Sequence, residues 1–239
     1  MKTFGLIGKN IDYSFSRTYF KNKFSEMNLL NHQYLNFDID SLVNINNLFN
    51  SNNYGFNVTI PYKEAIIPYL DELDGHAEKI GAVNTIKLKD NKTVGYNTDW
   101  LGFKNSIKPL LQNHHNNALI LGTGGASKAI KYALEQLNIS YKVVSRNNGD
   151  YNYDGLNEEI IRKYQIIINC TPLGTFPNVN LCPNIPYNAI TPKHLVYDLI
   201  YNPSETLFLK KAKEQGAIIK NGLEMLEIQA EKAWEIWNS

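Results

Sequence analysis

Long apolar runs, paired cysteines and a surplus of charge are all missing from this 239-residue sequence. No hydrophobic stretch approaches the ~20 residues that a membrane-spanning helix needs. The opening "MKTFGLIG" reads as a strand and lacks the long apolar core and cleavage site of a secretion signal. The two cysteines, Cys170 and Cys182, form neither a disulfide framework nor a metal-binding spacing. No His/Cys/carboxylate cluster has ligand spacing either, so no metal is expected. His32, His76, His114, His115 and His194 fall outside every motif and are read as surface or structural residues. Lysine plus arginine number 24 against 23 acidic residues, a net charge of +1. Capture of nucleic acid or of an anionic membrane by bulk charge is therefore excluded. The basic run "LKKAK" reads as a solvated helix face. Repeats, low-complexity segments and Pro/Gly/Ser linkers are also absent. What remains is an ordinary globular composition, 43% hydrophobic and 20% charged, expected in the cytoplasm.

What is present is an alternation of short apolar runs with helical stretches, which predicts an α/β fold with mainly parallel strands. In the first part, strands are expected over 3–7, 34–39, 56–60, 83–87 and 94–96. Helices are expected over 17–29, 41–49, 61–70 and 74–80, and from about 99 to 111. Beyond the polar turn "QNHHNN" the alternation is very regular. Strands are expected at "ALIL", "YKVVSR", "IIINC", "LVYDLIY" and "AIIKN", and helices at "SKAIKYALEQL" and "TLFLKKAKEQG". A last helix over 223–237 carries Leu223, Leu226, Trp234 and Trp237 on one face and suggests packing back onto a domain. The domain boundary is drawn near Asp99.

The stretch "LILGTGGASKAI" places Gly122, Gly124 and Gly125 between a buried strand and a helix. The first glycine permits a tight turn and the second lets the backbone approach a pyrophosphate, which then faces the helix N-terminus. The usual third glycine falls at Ser127, so the fingerprint is imperfect, although Ala126 and Ala129 are small. The second strand ends in Ser145, Arg146 and Asn147, where an NAD site would carry an acid. A guanidinium there favours a 2′-phosphate through charge-assisted hydrogen bonds, hence NADP over NAD.

Three polar elements precede that turn. In "YSFS", Ser14 and Ser16 are two apart, so in an extended segment both hydroxyls face one way, unless Ser16 merely caps the next helix. "GAVNT" sets Asn84 at a strand start, and "GYNTDW" sets Asp99 at a helix start, where an aspartate is also a common cap. In "GFNVTIPYKEAIIPYLDELD", Pro61 suits a first helical turn and would place Lys63 in that turn. A cation is disfavoured there. Lys63 is then either a tolerated solvated lysine or one whose ammonium form is weakened for proton transfer.

The motifs "GLIGKNIDYSFS", "NVTIPYK", "GAVNT", "GYNTDWLGF", "LGTGGASKA", "INCTPLGT", "YDLIYNPSET" and "NGLEMLEIQA" occur in the order seen in shikimate dehydrogenases. The sequence resembles that family along nearly its whole length. The resemblance implies a two-domain enzyme that reversibly reduces 3-dehydroshikimate with NADPH in chorismate and aromatic amino acid biosynthesis. Residues 1–99, completed by helix 223–239, would bind substrate, and 100–222 would form a Rossmann domain. It further implies that Ser14 and Ser16 hold the substrate carboxylate, with Tyr201 nearby. Thr59, Asn84, Asp99 and Gln229 would bond the ring hydroxyls, and Lys63 would be the catalytic lysine, working beside Asp99. Gly122, Thr123, Gly124, Gly125 and Ala126 would form the diphosphate loop, and Ser145, Arg146 and Asn147 the adenosine phosphate clamp. Leu199 and Gly222 would lie beside the nicotinamide. A homodimer is compatible with this reading.

The sequence departs from the family at Tyr13 (usually His), Arg17 (usually Pro) and Ser145 (usually Asn), and is shorter than most relatives. A relative using quinate or NAD is the nearest alternative. A non-catalytic NADP-binding regulator is another, against which the joint presence of Lys63 and Asp99 argues.

Overall fold

The computed structural model of the protein describes residues 1–12, 14–49, 53–90 and 92–239. The chain divides into two compact units, Met1–Thr98 with Gln229–Ser239, and Asp99–Ile228. No helix among the described residues is long and apolar enough to cross a membrane.

The first unit contains β1 (Lys2–Gly8), α1 (Phe15–Glu26), β2 (His32–Asp38), α2 (Ile45–Phe49) and β3 (Asn53–Val58), then α3 (Tyr62–Ala65), β4 (Glu72–Leu73), α4 (Gly75–Ile80), β5 (Thr85–Lys89) and β6 (Lys92–Tyr96). Among the described residues these strands form a six-stranded sheet in the order β2-β1-β3-β5-β6-β4. It is mixed, within a fold whose described strands pair mainly in parallel as expected, and β4 runs parallel to β6. β1 runs parallel to β2 and β3, but β5 is antiparallel to both β3 and β6. Lys89 pairs with Lys92 across the β5–β6 connection. That is far too short for the crossover a parallel pair requires. Alternation along β1 sends Phe4 and Leu6 into one apolar layer and Ile7 into the other.

The helix expected over 61–70 does not form in one piece. Tyr62–Ala65 makes a single turn and Ile67–Tyr69 a separate 3-10 turn. Pro68 has no N–H to give the carbonyl of Glu64, so the α-helical ladder cannot continue through it. Pro61, after a cis peptide bond, occupies the cap position and not the first turn. Lys63 therefore sits in an isolated turn, too short for an aligned macrodipole, and the helix-start argument for it does not apply. β3 also ends at Val58, which leaves Thr59 beyond the strand and Ile60 exposed.

The second unit contains α5 (Asp99–Ile107), β7 (Asn117–Leu121), α6 (Gly125–Gln136), β8 (Ser140–Val144) and α7 (Glu158–Lys163), then β9 (Ile166–Asn169), β10 (Leu195–Asp198), α8 (Leu207–Glu214) and β11 (Ile218–Lys220). Its sheet is parallel throughout, in the order β11-β10-β9-β7-β8. Both faces are covered: Ala118 and Ile120 enter one core, Leu119 and Leu121 the other. Hence these strands read as unbroken apolar runs in the sequence. β8 lies on one side of β7 and β9 on the other, so the order in which strands are added reverses there, the switch point at which open α/β sheets bind ligands. α5 stops at Ile107, short of the expected 111, and gives way to a 3-10 turn around Pro109. α7 was not anticipated, although Asn157 caps it and Glu158 and Glu159 fill its first turn.

The closing helix is α9 (Leu223–Asn238), expected to complete the first domain. Its opening residues belong instead to the second unit, where Met225 is buried in the same cluster as Phe103 and Tyr197. Its end completes the first unit. Trp237 lies 4.9 Å from Phe4 and 5.2 Å from Phe20, ring centre to ring centre, and donates its indole N–H to the Ile86 carbonyl at 3.0 Å. Truncation to alanine removes this packing and one buried hydrogen bond. Trp237→Ala should lower stability by about 3–5 kcal/mol. Guanidinium unfolding should show a correspondingly lower midpoint.

Candidate active site

In the first unit the polar residues converge on Asn84, just before β5. Its side-chain oxygen accepts the Thr98 backbone N–H at 2.7 Å. A backbone N–H can only donate, so this bond fixes which way the amide points. The Asn84 nitrogen then donates to Thr98 Oγ1 at 2.9 Å and to Gln229 Oε1 at 3.2 Å. Asn84 is 3% exposed and Gln229 5%, so both amides are desolvated and held by protein partners. Gln229 arrives from α9, remote in sequence from Asn84. The neighbouring Val83 N–H donates to the Lys63 carbonyl at 2.7 Å, which ties the half-buried lysine beside this cluster by its backbone.

The serines differ from expectation. Helix α1 begins at Phe15, so Ser16 lies inside its first turn and Ser14, not Ser16, is the cap; Ser14 Oγ accepts the Arg17 N–H at 3.4 Å. The two serines therefore do not share an extended segment. Behind α1, Tyr34 donates its hydroxyl to Asn57 Oδ1 at 2.8 Å, and burial raises its phenol above the ordinary pKa. Thr59 donates its N–H to the Ile7 carbonyl at 2.9 Å, and a Cβ on Gly8 would meet its methyl group at 2.5 Å. Tyr13 lies outside the described residues. Arg17 is exposed. Asp99 directly follows Thr98, is buried, and stands in the first turn of α5.

In the second unit, the glycine turn follows β7. Gly122 has φ +104°, a conformation that favours glycine, and a Cβ there would meet Thr171 at 3.0 Å. At Gly124 a Cβ would meet nothing within 4 Å, and α6 starts there with no side-chain cap. This open, uncapped helix start fits a diphosphate. Thr123, Gly125 and Ala126 complete the turn. Ser127, in place of a third glycine, is fully buried because its hydroxyl bonds back to the Gly124 carbonyl at 2.7 Å.

After β8, Ser145 Oγ accepts the N–H groups of Asn147 and Asn148, both at 3.3 Å, which curls the loop and leaves Arg146 and Asn147 exposed. Asp150 braces the same loop by accepting Val143 N–H at 2.8 Å, and its ion pair with Lys142 holds its carboxyl below the usual range. Leu199 is fixed by its N–H to the Asn169 carbonyl at 3.1 Å. A Cβ on Gly222 would stand 2.1 Å from the Leu199 carbonyl oxygen, so only glycine lets these backbones approach. Tyr201, two residues on, is half-buried.

A family model described as "Shikimate dehydrogenase substrate binding domain" matches residues 6–86. A Methanococcus aeolicus protein named shikimate dehydrogenase (NADP(+)) is 41% identical over 257 residues, covering 99% of this chain and 91% of its own. The chain belongs to the shikimate dehydrogenase family. Among solved structures, a shikimate dehydrogenase in complex with NADP+ superposes with a TM-score of 0.84 at 34% identity, covering 99% of this chain and 90% of its own. The Thermus thermophilus shikimate 5-dehydrogenase, in complex with NADP(H) and shikimate, gives 0.87 at 27% identity over 99% of this chain and 93% of its own.

Sequence reasoning passed over one buried hub. Asp198, at the end of β10, accepts from Thr206 Oγ1 at 2.6 Å, Asn169 Nδ2 at 3.0 Å and Ile200 N at 3.1 Å. The motifs "INCTPLGT" and "YDLIYNPSET" contain it, but an aspartate inside a strand gives no local hint of its partners. Burial raises its pKa from 3.8 to about 6 despite these bonds. The folded state thus holds the proton more tightly than the unfolded one. The stabilisation that follows is fully present below about pH 4 and is lost as pH rises through about 6. Asp198→Asn should abolish this component, so the stability difference between the two proteins should change between pH 4 and 6 and level off above. Urea titrations at a series of pH values measure it.

Proposed function

We propose that this protein interconverts 3-dehydroshikimate and shikimate with NADPH and NADP+, in the cytoplasm, as a step of chorismate and aromatic amino acid biosynthesis. The observation that carries the reading is the buried Asn84–Thr98–Gln229 cluster. Two oriented amides in one desolvated place suit a small polyhydroxylated ring, and no apolar ligand would repay burying them. In this reading residues 1–99 with 223–239 bind the substrate and 100–222 bind the dinucleotide. The division by contacts, which gives the start of α9 to the second unit, refines the limits of those parts.

Each residue then has a task. Ser14 and Ser16 receive the carboxylate, with Tyr201 near it, and Thr59, Asn84, Asp99 and Gln229 bond the ring hydroxyls. Gly122, Thr123, Gly124, Gly125 and Ala126 cradle the diphosphate; Leu199 and Gly222 flank the nicotinamide. Arg146 pairs with the 2′-phosphate, with Ser145 and Asn147 shaping the loop. NADP+, when bound, accepts the hydride that leaves the carbinol carbon. As that C–H bond breaks, the hydroxyl must lose its proton; Lys63 takes it in oxidation and returns it in reduction. Asp99 positions the lysine and the hydroxyl. Lys63 derives no special character from a helix start, so its role rests on its tie to the Asn84 cluster and on the family resemblance.

Purified protein incubated with shikimate and NADP+ should generate NADPH absorbance, with quinate and NAD+ much poorer. Lys63→Met should lower kcat by ~10²–10⁴-fold with far less change in KM, because proton transfer is lost while substrate contacts persist. Near-normal kcat with a raised KM would make the lysine a binding group. Arg146→Ala should weaken NADP+ binding about 10- to 100-fold, the equivalent of a charged hydrogen bond worth ~1.5–3 kcal/mol, and leave NAD+ nearly unchanged. Equal losses for both cofactors would show that Arg146 shapes the loop instead.

A further inference from the structure

We infer that Asn169 is a positioning residue which couples the turn proposed to hold the diphosphate to the segment proposed to flank the nicotinamide, through one fully engaged buried amide. The inference rests on the functional reading above and concerns a residue which that reading leaves without a task.

Asn169 closes β9 and has no exposed surface. Its side-chain oxygen accepts the Thr171 backbone N–H at 3.0 Å and the Thr171 hydroxyl at 2.7 Å. A backbone N–H can only donate, so the oxygen must face Thr171 and the nitrogen must face away from it. That nitrogen donates to Asp198 Oδ1 at 3.0 Å and to the Leu173 carbonyl at 3.4 Å. Two donations and two acceptances use the amide fully. An aspartate of the same shape lacks the donors, and an apolar residue lacks donors and acceptors alike.

Each side of the amide leads to one part of the proposed cofactor cradle. On the oxygen side, the Thr171 methyl lies 3.0 Å from where a Cβ on Gly122 would stand, so Thr171 backs the glycine turn. The intervening Cys170 donates its N–H at 2.8 Å to the carbonyl of Leu121, just before that turn. On the nitrogen side, Asp198 Oδ1 also accepts the Ile200 N–H at 3.1 Å, and the Ile200 carbonyl accepts the Gly222 N–H at 3.1 Å. The backbone carbonyl of Asn169 itself accepts the Leu199 N–H at 3.1 Å. All of these residues belong to the second unit. A dinucleotide touches both parts at once, so this amide sets the separation at which its diphosphate and nicotinamide are received. Burial makes each link hard to replace with water.

Two substitutions cut opposite sides of the amide. Thr171→Val keeps a methyl against Gly122 and removes the hydroxyl bonded to Asn169. Asn169→Asp keeps the shape and the bonds from Thr171, but turns an oxygen toward Asp198 and the Leu173 carbonyl. Calorimetric titration of either variant with NADP+ should show an affinity about 3- to 10-fold below wild type, the equivalent of one hydrogen bond. Adenosine 2′-monophosphate, which reaches only the Arg146 loop, should bind as it does to wild type. The double variant should lose less than the product of the two single losses, because both act through one amide. A merely structural role would lower the melting temperature and weaken both ligands alike or neither, and either pattern would overturn the inference. Single losses that multiply in full would make the two parts independent and overturn it as well. If Asn169→Asp does not fold, Thr171→Val decides alone through the contrast between the two ligands. Failure of the wild type to bind NADP+ would instead defeat the functional reading, which keeps the two failures apart.

Discussion

The hydrogen bond from the Thr98 backbone to the Asn84 side-chain oxygen, 2.7 Å long and buried, sets the polarity of the first unit's interior. A side-chain amide is nearly symmetric in shape, and packing alone could hold it either way round. A backbone N–H cannot reverse its role. Once it claims the oxygen, the nitrogen must face Thr98 Oγ1 and Gln229, and Gln229 must present its oxygen. The Asn84 and Gln229 amides inherit their orientation from that one donor. Leaving any of them unmatched would cost about 1–3 kcal/mol.

That arrangement depends on α9, because Gln229 reaches Asn84 only if the helix is seated. The seat is made mostly of rings: Trp237 among Phe4, Phe20 and Tyr34, with its indole N–H on the Ile86 carbonyl. At the rim, Glu231 pairs with Lys23 at 2.7 Å and also receives the Tyr19 hydroxyl. Such a rim pair, partly exposed, contributes little by itself and mainly sets the rotation of the helix. The apolar contacts supply most of the stability and the amide cluster supplies the register.

The second unit solves a different problem with the same economy of parts. Its sheet buries both faces, so the loops at the carboxyl ends of β7, β9 and β10 carry the polar work. Asp198 draws three donors together, one from each of Thr206, Asn169 and Ile200, and thereby fixes the loops bearing Thr171, Leu199 and Tyr201. Gly222 then allows the backbone of the last strand's exit to press against Leu199. A carboxylate buried this deeply is tolerated because every nearby partner donates to it.

The sequence by itself determined whatever depends on neighbours along the chain. Unbroken apolar runs announced the two-sided parallel sheet, the glycines at 122 and 124 announced the turn, and small residues after them allowed α6 to begin close to β7. Even the break at Pro68, which the helical spacing of Ile66, Ile67 and Leu70 concealed, was a local fact waiting in the sequence, as was the cap Asn157. Only the tertiary structure decided that β5 runs against β3 and that Asn57 faces Tyr34. A strand pattern reports which faces are buried, not the direction of the neighbouring strand or the partner of a polar side chain. Those are settled when segments remote in sequence meet, and hydrogen bonds between them are satisfied in one orientation only.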